Sequence, residues 1–321
     1  MKSLLKNILI FIIPLLLLVV GSSVLAKMVL KRGDFFRLKP DTEYLILGHS
    51  QPECGINDSL ISHAQNFSQG GESYFYTYLK LQKLLEANPK VKTVFISYAN
   101  NQVNTRMDKW IWGNENMYAN YPKYSFMMDS HDYRVLLAHN PQEVLKSETK
   151  LVKDFLGFMV KNRTDYLRDR NWGGYLYINR SKVDSLLKTD YLEKERKAIK
   201  LKFSRKNIEY LQKIVALCKQ KNVRIIFLRM PVRPDLPFLK NEKQFLAVKR
   251  ILFNDIEFID FKNFPAAHDE VGDFDHLNHV GARRFSLFFN GLLESGLLKS
   301  RNMQGDINAA MLKLTQNDSI R

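Results

Sequence analysis

Short and almost continuously apolar runs recur along the chain, and they limit its fold more than any other feature. The clearest runs are Tyr44–Leu47, Val94–Ser97, Ile225–Leu228 and Phe258–Phe261. Strands that are covered on both faces have this composition, whereas half-exposed strands alternate apolar and polar residues. Segments with apolar residues at three-to-four spacing lie between the runs and predict helices. These helical candidates are Tyr74–Leu85, Asn207–Lys219, Gln244–Leu252 and Ala282–Leu293. The alternation predicts a three-layer α/β fold with a parallel sheet between helices.

Ahead of the first run, Ile8–Ala26 is a stretch of 19 residues without a charge, with lysines on both sides. At about 1.5 Å per residue, a helix of this length nearly crosses the hydrocarbon core of a bilayer. The stretch is long for the apolar region of a cleaved signal peptide, although Val24 and Ala26 suit a cleavage site. We therefore expect a retained single-pass membrane anchor within residues 1–32. A cleaved signal peptide is the alternative.

The charge balance points to an anionic neighbour. Lys and Arg number 49 against 33 Asp and Glu, which gives a formal net charge of +16. A membrane surface or an acidic glycan suits such an excess. A nucleic-acid partner is not predicted, because the sequence has no RNA-recognition, helix-turn-helix or zinc-finger signature.

Between residues 104 and 202 the periodicity weakens and aromatic residues accumulate. We interpret this stretch as an insertion in a domain that spans residues 40–298. Its aromatic side chains are expected to fill a local core, and stacking on sugar rings is the alternative. They include Trp110, Trp112, Tyr118, Tyr121, Tyr124, Phe126 and Trp172.

Two further features concern the tail and the cysteines. The polar segment 299–321 is predicted to be a loosely ordered C-terminal tail. Cys54 and Cys218 are predicted to be buried free thiols, with a disulfide as the less favoured alternative.

Two short sequence blocks near opposite ends of the domain contain residues that could form a nucleophilic serine and its base. Gly48-His49-Ser50 follows the first strand, so the serine hydroxyl lies at the sheet edge where α/β proteins bind ligands. A Gly-x-Ser motif alone is weak evidence for a nucleophile, because serine is also a common turn and capping residue. Asp273 precedes His276 by three residues, a spacing that lets the carboxylate orient the imidazole while its other nitrogen faces a serine. The sequence therefore predicts a catalytic triad of Ser50, His276 and Asp273.

These blocks resemble those of the SGNH (GDSL-like) hydrolase superfamily, whose first block holds the nucleophile and whose last block is Asp-x-x-His. The string His276–Ala282 is similar to the His-Leu-Asn-x-x-Gly-Ala string of a membrane-anchored branch. That branch includes the alginate O-acetylation and teichoic acid D-alanylation proteins. The resemblance spans roughly residues 43–293. It implies a flavodoxin-like sheet, an extracytoplasmic (periplasmic) domain, and an integral membrane O-acyltransferase as a partner.

The resemblance also implies an oxyanion hole with three donors. The first is the backbone N–H of Ser50, and the second is a glycine of the second block. That block is represented by Asn66–Gly71, which follows a second strand. Gly71 is the preferred donor there and Gly70 is the alternative.

The third donor would be an asparagine, and here the sequence departs from the family. The segment Val94–Asn101 lacks the usual Gly-x-Asn-Asp, and Asn100 is favoured over Asn101. Loss of a side-chain donor typically costs about 10²–10³ in turnover. His49 is a second departure, because better-known members have Asp there. A surface or structural role is favoured for it, and tuning of the neighbouring nucleophile is the alternative.

Two other groups of residues have functional interpretations. Arg229 and Arg233 follow the fourth strand and are candidates for binding an anionic substrate, with solvated basic side chains as the alternative. Histidines and carboxylates between residues 268 and 279 are also compatible with a metal site. A metal site leaves Ser50 without a role, so neither a metal nor a cofactor is predicted.

The expected function is that of a serine esterase or O-acyltransferase acting on an acyl ester, of which acetyl is favoured, of a cell-envelope glycan. Water or a sugar hydroxyl would resolve the acyl-enzyme, and this choice separates the two activities. The alternative is a non-catalytic scaffold or glycan-binding protein with the same fold, which the imperfect third block and the aromatic insertion favour.

Overall fold

The computed structural model describes residues 2–161, 172–179, 181–198 and 202–318. It is an α/β protein with a five-stranded parallel sheet in the order β2-β1-β3-β4-β5. The four clearest strand predictions are confirmed to within one residue at each end. The strands are β1 (Tyr44–Leu47), β2 (Ala64–Asn66), β3 (Thr93–Ser97), β4 (Arg224–Arg229) and β5 (Glu257–Asp260).

The four predicted helices are confirmed to within three residues at each end. Two begin at side-chain caps: Ser204 accepts from the N–H of Asn207, and Asn278 accepts from that of Val280. The α-helices in the described ranges are α1 (Lys2–Lys31), α2 (Ser50–Gly55), α3 (Tyr74–Ala87), α4 (Asp108–Trp112), α5 (Asn114–Tyr124), α6 (Ser130–His139), α7 (Pro141–Lys161), α8 (Val183–Leu187), α9 (Tyr191–Ala198), α10 (Arg205–Gln220), α11 (Glu242–Leu252), α12 (His279–Glu294) and α13 (Met303–Asp318).

The order of the strands fixes where a ligand would bind. The chain moves from β1 to β2 on one side and returns to β3 on the other side, so the winding direction reverses between β1 and β3. In open α/β sheets the crevice at the carboxyl ends of the two strands at this switch point binds ligands. Ser50 follows β1 directly and therefore lies at this crevice.

Helix α12 packs against the core of the sheet. It follows the loop that carries Asp273 and His276, which we call the histidine loop. Phe289 of α12 packs edge-on against Phe95 of β3 and against Phe261 just after β5. All three side chains are buried. Because His276 lies only three residues before α12, this packing fixes the position of the histidine loop relative to the sheet.

The prediction of a loosely ordered tail is wrong. Residues 303–318 form α13, in which Met303, Ile307 and Met311 are buried in the sheet core. The side chain of Gln304 accepts from the N–H of Asp260 at 2.8 Å and donates to its carbonyl at 3.0 Å. The four-residue spacing of these apolar residues outweighs the polar composition of the segment. Residues 319–321 lie outside the described residues.

The N-terminal segment belongs to a small helical unit. The chain divides into Met1–Phe35 with Lys109–Asn171, and Phe36–Asp108 with Trp172–Arg321. In the first unit, Ala26 and Leu30 of α1 pack against Leu151 and Phe155 of α7. The C-terminal end of α1 therefore packs with part of the expected insertion. The expected insertion, residues 104–202, is divided between the two units.

A polar cluster around Glu148 also joins α1 to this unit. Lys27 Nζ lies 2.8 Å from Glu148 Oε1, and the hydroxyls of Ser23 and Tyr121 donate to the same carboxylate. A truncation at residue 32 would therefore remove contacts from the helical unit.

In the described part of the chain, no helix is long and apolar enough to cross a membrane. The predicted anchor, Ile8–Ala26, lies within α1. The side chains of residues 8, 9, 11, 12, 15 and 16 lie outside the described residues.

The aromatic residues of the insertion differ in burial, and Trp112 and Phe126 are half-buried. Tyr121, Tyr124 and Trp172 are buried, as expected for local core residues. Trp110 and Tyr118 are more than a third exposed. Both remain compatible with surface contacts.

Candidate active site

A close approach between two strands positions the serine. A Cβ placed on Gly48 would lie 2.3 Å from Ser97 Cβ, so only glycine allows the ends of β1 and β3 to come this close. Ser50, two residues later, is the first residue of α2. Its backbone N–H therefore has no acceptor within the helix.

Asp273 organises the histidine loop. Its Oδ1 accepts from the N–H of Asp275 at 2.8 Å and from that of His276 at 3.0 Å. The same oxygen lies 2.8 Å from His276 Nδ1, and Oδ2 lies 3.0 Å from it. One carboxylate thus shapes the turn and orients the ring.

The structure brings the three predicted triad residues together. His276 Nε2 lies 2.7 Å from Ser50 Oγ, within the range expected for a nucleophile and its base. With Nδ1 donating to Asp273, Nε2 is free to accept the serine proton. We call Ser50, His276 and Asp273 the serine cluster.

Charge in the serine cluster favours a protonated imidazole. Burial alone would lower the pKa of His276, but its hydrogen bond to Asp273 and the nearby carboxylates outweigh burial, so the pKa is raised. Burial opposes ionisation of Asp273 as well, and the bond to His276 holds its pKa below the usual range. Both shifts stabilise an imidazolium next to a carboxylate, the pair that forms when Ser50 loses its proton.

Asp275, two residues after Asp273, does not cap α12, because the side chain of Asn278 does so. Asp275 Oδ1 is instead buried, without a hydrogen-bond partner in the described ranges. Burial raises the pKa of Asp275 to about 6.

His49 lies beside the nucleophile, with its Nδ1 3.4 Å from Ser50 Oγ. Its ring is buried, and Nδ1 accepts from the N–H of Gln51 at 3.2 Å, which caps α2. Burial and the neighbouring His276 lower its pKa to about 3. A neutral His49 therefore holds the start of the helix on which Ser50 lies.

Gly70, the alternative glycine candidate, lies near the serine. A Cβ on Gly70 would lie 3.8 Å from Ser50 Cβ. Its N–H donates to the Glu53 carboxylate. Gly71, the preferred candidate, has a φ of 70° and lies in the turn that follows.

Asn100 does not fit the role of an oxyanion donor. Its Nδ2 donates to Asn241 Oδ1 at 3.0 Å and to Glu242 Oε2 at 2.9 Å, which uses both amide hydrogens. Its Oδ1 accepts from Arg229. Asn101, the alternative, has a buried Oδ1 without a partner among the described residues, so its amide is less constrained.

Arg229 is the centre of this second cluster and does not fit the role of a substrate ligand. Its side chain is 1% exposed, and it pairs with Glu242 at 2.7 Å and with Asp260 at 3.2 Å. Although burial would raise the pKa of Glu242, the bonds from Arg229, Asn100 and Lys262 hold it at about 2. We call Asn100, Arg229, Glu242 and Asp260 the arginine cluster.

Arg233 lies in the wall of a cavity of about 660 Å³ that reaches the serine cluster at His276 and Asp273. Its guanidinium pairs with Asp235 through two contacts of 3.0 Å. The same cavity is lined by Phe264 and Phe274. Its size and mixed lining suit a small organic ligand.

Other histidines of the last block have separate partners. His268 Nε2 lies 2.9 Å from Asp184, and His279 Nδ1 lies 3.1 Å from the carbonyl oxygen of Ile178. Among the described residues no three His, Cys, Asp or Glu side chains form a metal-binding group. Cys54 and Cys218 are free and buried, as predicted, and burial raises the pKa of each thiol to about 12.

Sequence reasoning missed the extended segment 172–179, which runs beside the site. The N–H of Gly174 donates to the Ser68 carbonyl at 2.9 Å, and that of Leu176 donates to the Glu53 carbonyl at 2.8 Å. Its paired glycines, Gly173 and Gly174, both have positive φ. These glycines were the one available signal that the end of the insertion approaches the sheet closely.

Sequence reasoning also missed Glu53, whose buried carboxyl lies next to Gly70. Its spacing of three residues from Ser50 was an available signal, because residues three apart lie on the same face of a helix. The sequence pattern does not predict the short helix α2, so the three-residue spacing could not be interpreted as a shared helix face.

Comparison with known proteins gives little information about function. A model of an uncharacterised protein family matches residues 165–298. The match includes the histidine loop, β4 and β5, and it excludes Ser50. No curated protein matches the chain.

Proposed function

We propose that the chain is a serine esterase or O-acyltransferase of the SGNH (GDSL-like) class. The observation that carries the proposal is the row Ser50 Oγ, His276 Nε2, His276 Nδ1 and Asp273, with contacts of 2.7 and 2.8 Å. The sheet order β2-β1-β3-β4-β5 is also that of flavodoxin-like folds, which supports the class.

The proposed reaction begins with attack of Ser50 Oγ on the carbonyl carbon of an ester. The Oγ proton moves to His276 Nε2, and the carbonyl electron pair moves to oxygen, which gives a tetrahedral oxyanion. The backbone N–H of Ser50 is a candidate donor to this oxyanion, whereas the N–H of Gly70 already donates to the Glu53 carboxylate. When the intermediate collapses, the ester C–O bond breaks and His276 returns the proton to the leaving alcohol. Water or a second hydroxyl then gives its proton to His276 and attacks the acyl carbon. The bond from that carbon to Ser50 Oγ breaks as His276 returns the proton to Ser50.

We propose an O-acyl, and foremost an O-acetyl, ester of a cell-envelope glycan as the substrate. The net charge of +16, the cavity next to His276 and the sequence resemblance support this class. On the same grounds we propose that the part of the chain that contains the sheet is periplasmic and that the uncharged run Ile8–Ala26 anchors it to the membrane. We propose an integral membrane O-acyltransferase as its partner.

The test is turnover of a small acetyl ester by the purified wild type and by Ser50→Ala. We expect turnover that Ser50→Ala abolishes with a melting temperature close to that of the wild type, because a hydroxyl at a strand edge contributes little packing. Full activity in Ser50→Ala would exclude Ser50 as the nucleophile. In cells, loss of glycan acylation in Ser50→Ala would indicate a transferase, and increased acylation an esterase.

A second candidate is a non-catalytic scaffold or glycan-binding protein with the same fold. The observation that favours it is that both Asn100 amide hydrogens are donated to Asn241 and Glu242, which removes a side-chain oxyanion donor. This candidate predicts no ester turnover by the wild type, whereas glycan binding would be unchanged in Ser50→Ala.

A further inference from the structure

The cavity of about 660 Å³ next to the serine cluster has no assigned occupant in the reaction described above. One wall includes residues 231–234 and Leu239, which follow β4, and the other includes residues 262–266 and 273–277, which follow β5. Asp273 and His276 of the serine cluster belong to the second wall. We call this space the β4–β5 cavity.

The position of the β4–β5 cavity along the sheet separates it from the glycine loop beside the serine. Ser50 follows β1, and Gly70 follows β2 at one edge of the sheet, whereas the cavity walls follow β4 and β5 towards the other edge. Neither Ser50 nor Gly70 is among the described residues that line the cavity. The cavity therefore extends from His276 towards the β5 edge, away from Gly70.

The route of the proton decides which part of an ester lies on this side. In the proposed reaction His276 Nε2 takes the proton of Ser50 and gives it to the oxygen of the leaving alcohol as the ester C–O bond breaks. The alcohol oxygen must then lie within hydrogen-bond distance of Nε2, which is 2.7 Å from Ser50 Oγ. The body of the alcohol is therefore expected on the His276 side of the serine, where the cavity lies.

The volume of the β4–β5 cavity also fits the alcohol better than the acyl group. Pockets for small organic ligands have volumes of about 300–1,000 Å³, and this cavity lies within that range. An acetyl group has only two carbon atoms. An acetyl ester would therefore fill the cavity through its alcohol.

The cavity wall combines apolar surface with hydrogen-bond donors. Its buried apolar members include Phe264, Val271 and Leu277. Lys262 Nζ donates to Glu242 at 2.9 Å, and an ammonium has two further hydrogens. The pair between Arg233 and Asp235 uses two of the five guanidinium hydrogens. A sugar ring matches this wall, because it presents C–H surface to apolar side chains and hydroxyl oxygens to donors.

We propose that the β4–β5 cavity binds the sugar ring that carries the ester, as the leaving alcohol of the reaction. This inference rests on the proposed serine mechanism and names the half of the ester that the cavity recognises. The acyl carbon bonds to Ser50 Oγ, the sugar oxygen takes the proton from His276, and the sugar leaves through the cavity.

The test uses esters that differ in only one half, turned over by the full-length chain. Methyl 6-O-acetylglucoside and methyl acetate share the acyl group, so the ratio of their kcat/KM values reports the alcohol side. Methyl butyrate and methyl acetate share the alcohol, so their ratio reports the acyl side. In the wild type the first ratio should be at least about tenfold, because only the sugar fills the cavity.

Two substitutions fill the cavity, one from each wall. Ala266→Trp and Leu239→Trp should each lower the acetylglucoside ratio by about tenfold, chiefly through KM, and should leave the butyrate ratio as in the wild type. Ala87→Trp, at an exposed position at the end of α3, is the matched control and should keep both ratios. Circular dichroism of each variant reports folding.

A third substitution removes a donor without filling the cavity. Lys262→Met keeps an apolar stem and loses the ammonium, so it should lower the acetylglucoside ratio by about three- to tenfold. This variant carries the test if neither tryptophan variant folds. Cyclohexylmethyl acetate has a ring without hydroxyls, and the wild type should turn it over with a lower kcat/KM than the acetylglucoside.

The proposal is overturned if the tryptophan variants change the butyrate ratio instead, because the cavity would then hold the acyl group. It is also overturned if the folded variants change neither ratio, or if the wild type prefers cyclohexylmethyl acetate to the acetylglucoside. If the wild type neither turns over any of these esters nor reacts with a fluorophosphonate at Ser50, the proposed function fails and this assignment fails with it. If the wild type does both and the variants match it, only the assignment of the cavity fails.

Discussion

The serine cluster and the arginine cluster lie at the carboxyl edge of the same sheet and differ in how completely their polar atoms are used. Arg229 is 1% exposed and has hydrogen bonds to three side chains. The serine cluster ends in a hydroxyl, and the side chains of His276 and Asp273 are 20% and 33% exposed. A buried arginine whose donors bind three side chains stabilises the fold, whereas a row of side chains that ends in a serine hydroxyl can act on a ligand.

The largest expected effect is a loss of activity without a loss of stability when the serine cluster is changed. Asp273→Asn should lower kcat for a small ester by about 10³–10⁴, because the amide no longer holds the imidazole in the required tautomer. Its melting temperature should stay near that of the wild type. The comparison breaks if Asp273→Asn unfolds the sheet unit while its folded fraction remains fully active.

Arg229→Met should show the opposite pattern. We expect a loss of about 2–4 kcal/mol in the free energy of unfolding, because Glu242 and Asp260 lose their partner. This lies at the low end for a buried charge, since both carboxylates are partly exposed. The kcat of the folded fraction should change little. Arg233→Met is the matched control, with an expected loss below about 1 kcal/mol in chemical denaturation.

Asn100→Ala tests whether the arginine cluster contributes to catalysis. We expect a loss of about 1–3 kcal/mol in the free energy of unfolding, because buried partners lose hydrogen bonds. The kcat should fall by less than about tenfold, compared with about 10²–10³ for an oxyanion donor. If Asn100→Ala is fully folded and its kcat falls by about 10²–10³, Asn100 acts as an oxyanion donor and the assignment above is wrong.

The smallest effect concerns pH. His276 must be neutral to accept the serine proton, and its pKa is raised above 6.5. Activity should therefore rise as pH increases through the folded pKa, with a midpoint above 6.5. In Asp273→Asn the residual activity should have a lower midpoint, because the bond and the charge that raise the pKa are lost. An unchanged midpoint would mean that Asp273 does not set this pKa.

The sequence predicted those parts of the site that depend on local patterns. Gly48 to Ser50 follow a recognisable strand, and Asp273 and His276 are three residues apart, so short-range spacing was sufficient. The role of Asn100 depends on Glu242, 142 positions away, and local pattern contains no such information. Glu53 was missed because α2 is too short for periodicity to reveal.

The same reasoning explains the errors in the fold. The buried strands and their helices follow from periodicity, because each is long enough to repeat the pattern. Helix α13 has only a narrow apolar stripe in a polar segment, and composition concealed it. The contacts of α1 with α7 join residues more than 100 positions apart, and the uncharged run alone gave no sign of them.

The most direct test of the serine mechanism is mass spectrometry of the chain after treatment with a fluorophosphonate. The account predicts one covalent adduct, mapped to the peptide that contains Ser50, and no adduct at that peptide in Ser50→Ala or His276→Ala. Arg229→Met, while folded, should be labelled like the wild type. An unlabelled wild type, or an adduct that forms at Ser50 equally fast without His276, would contradict the account.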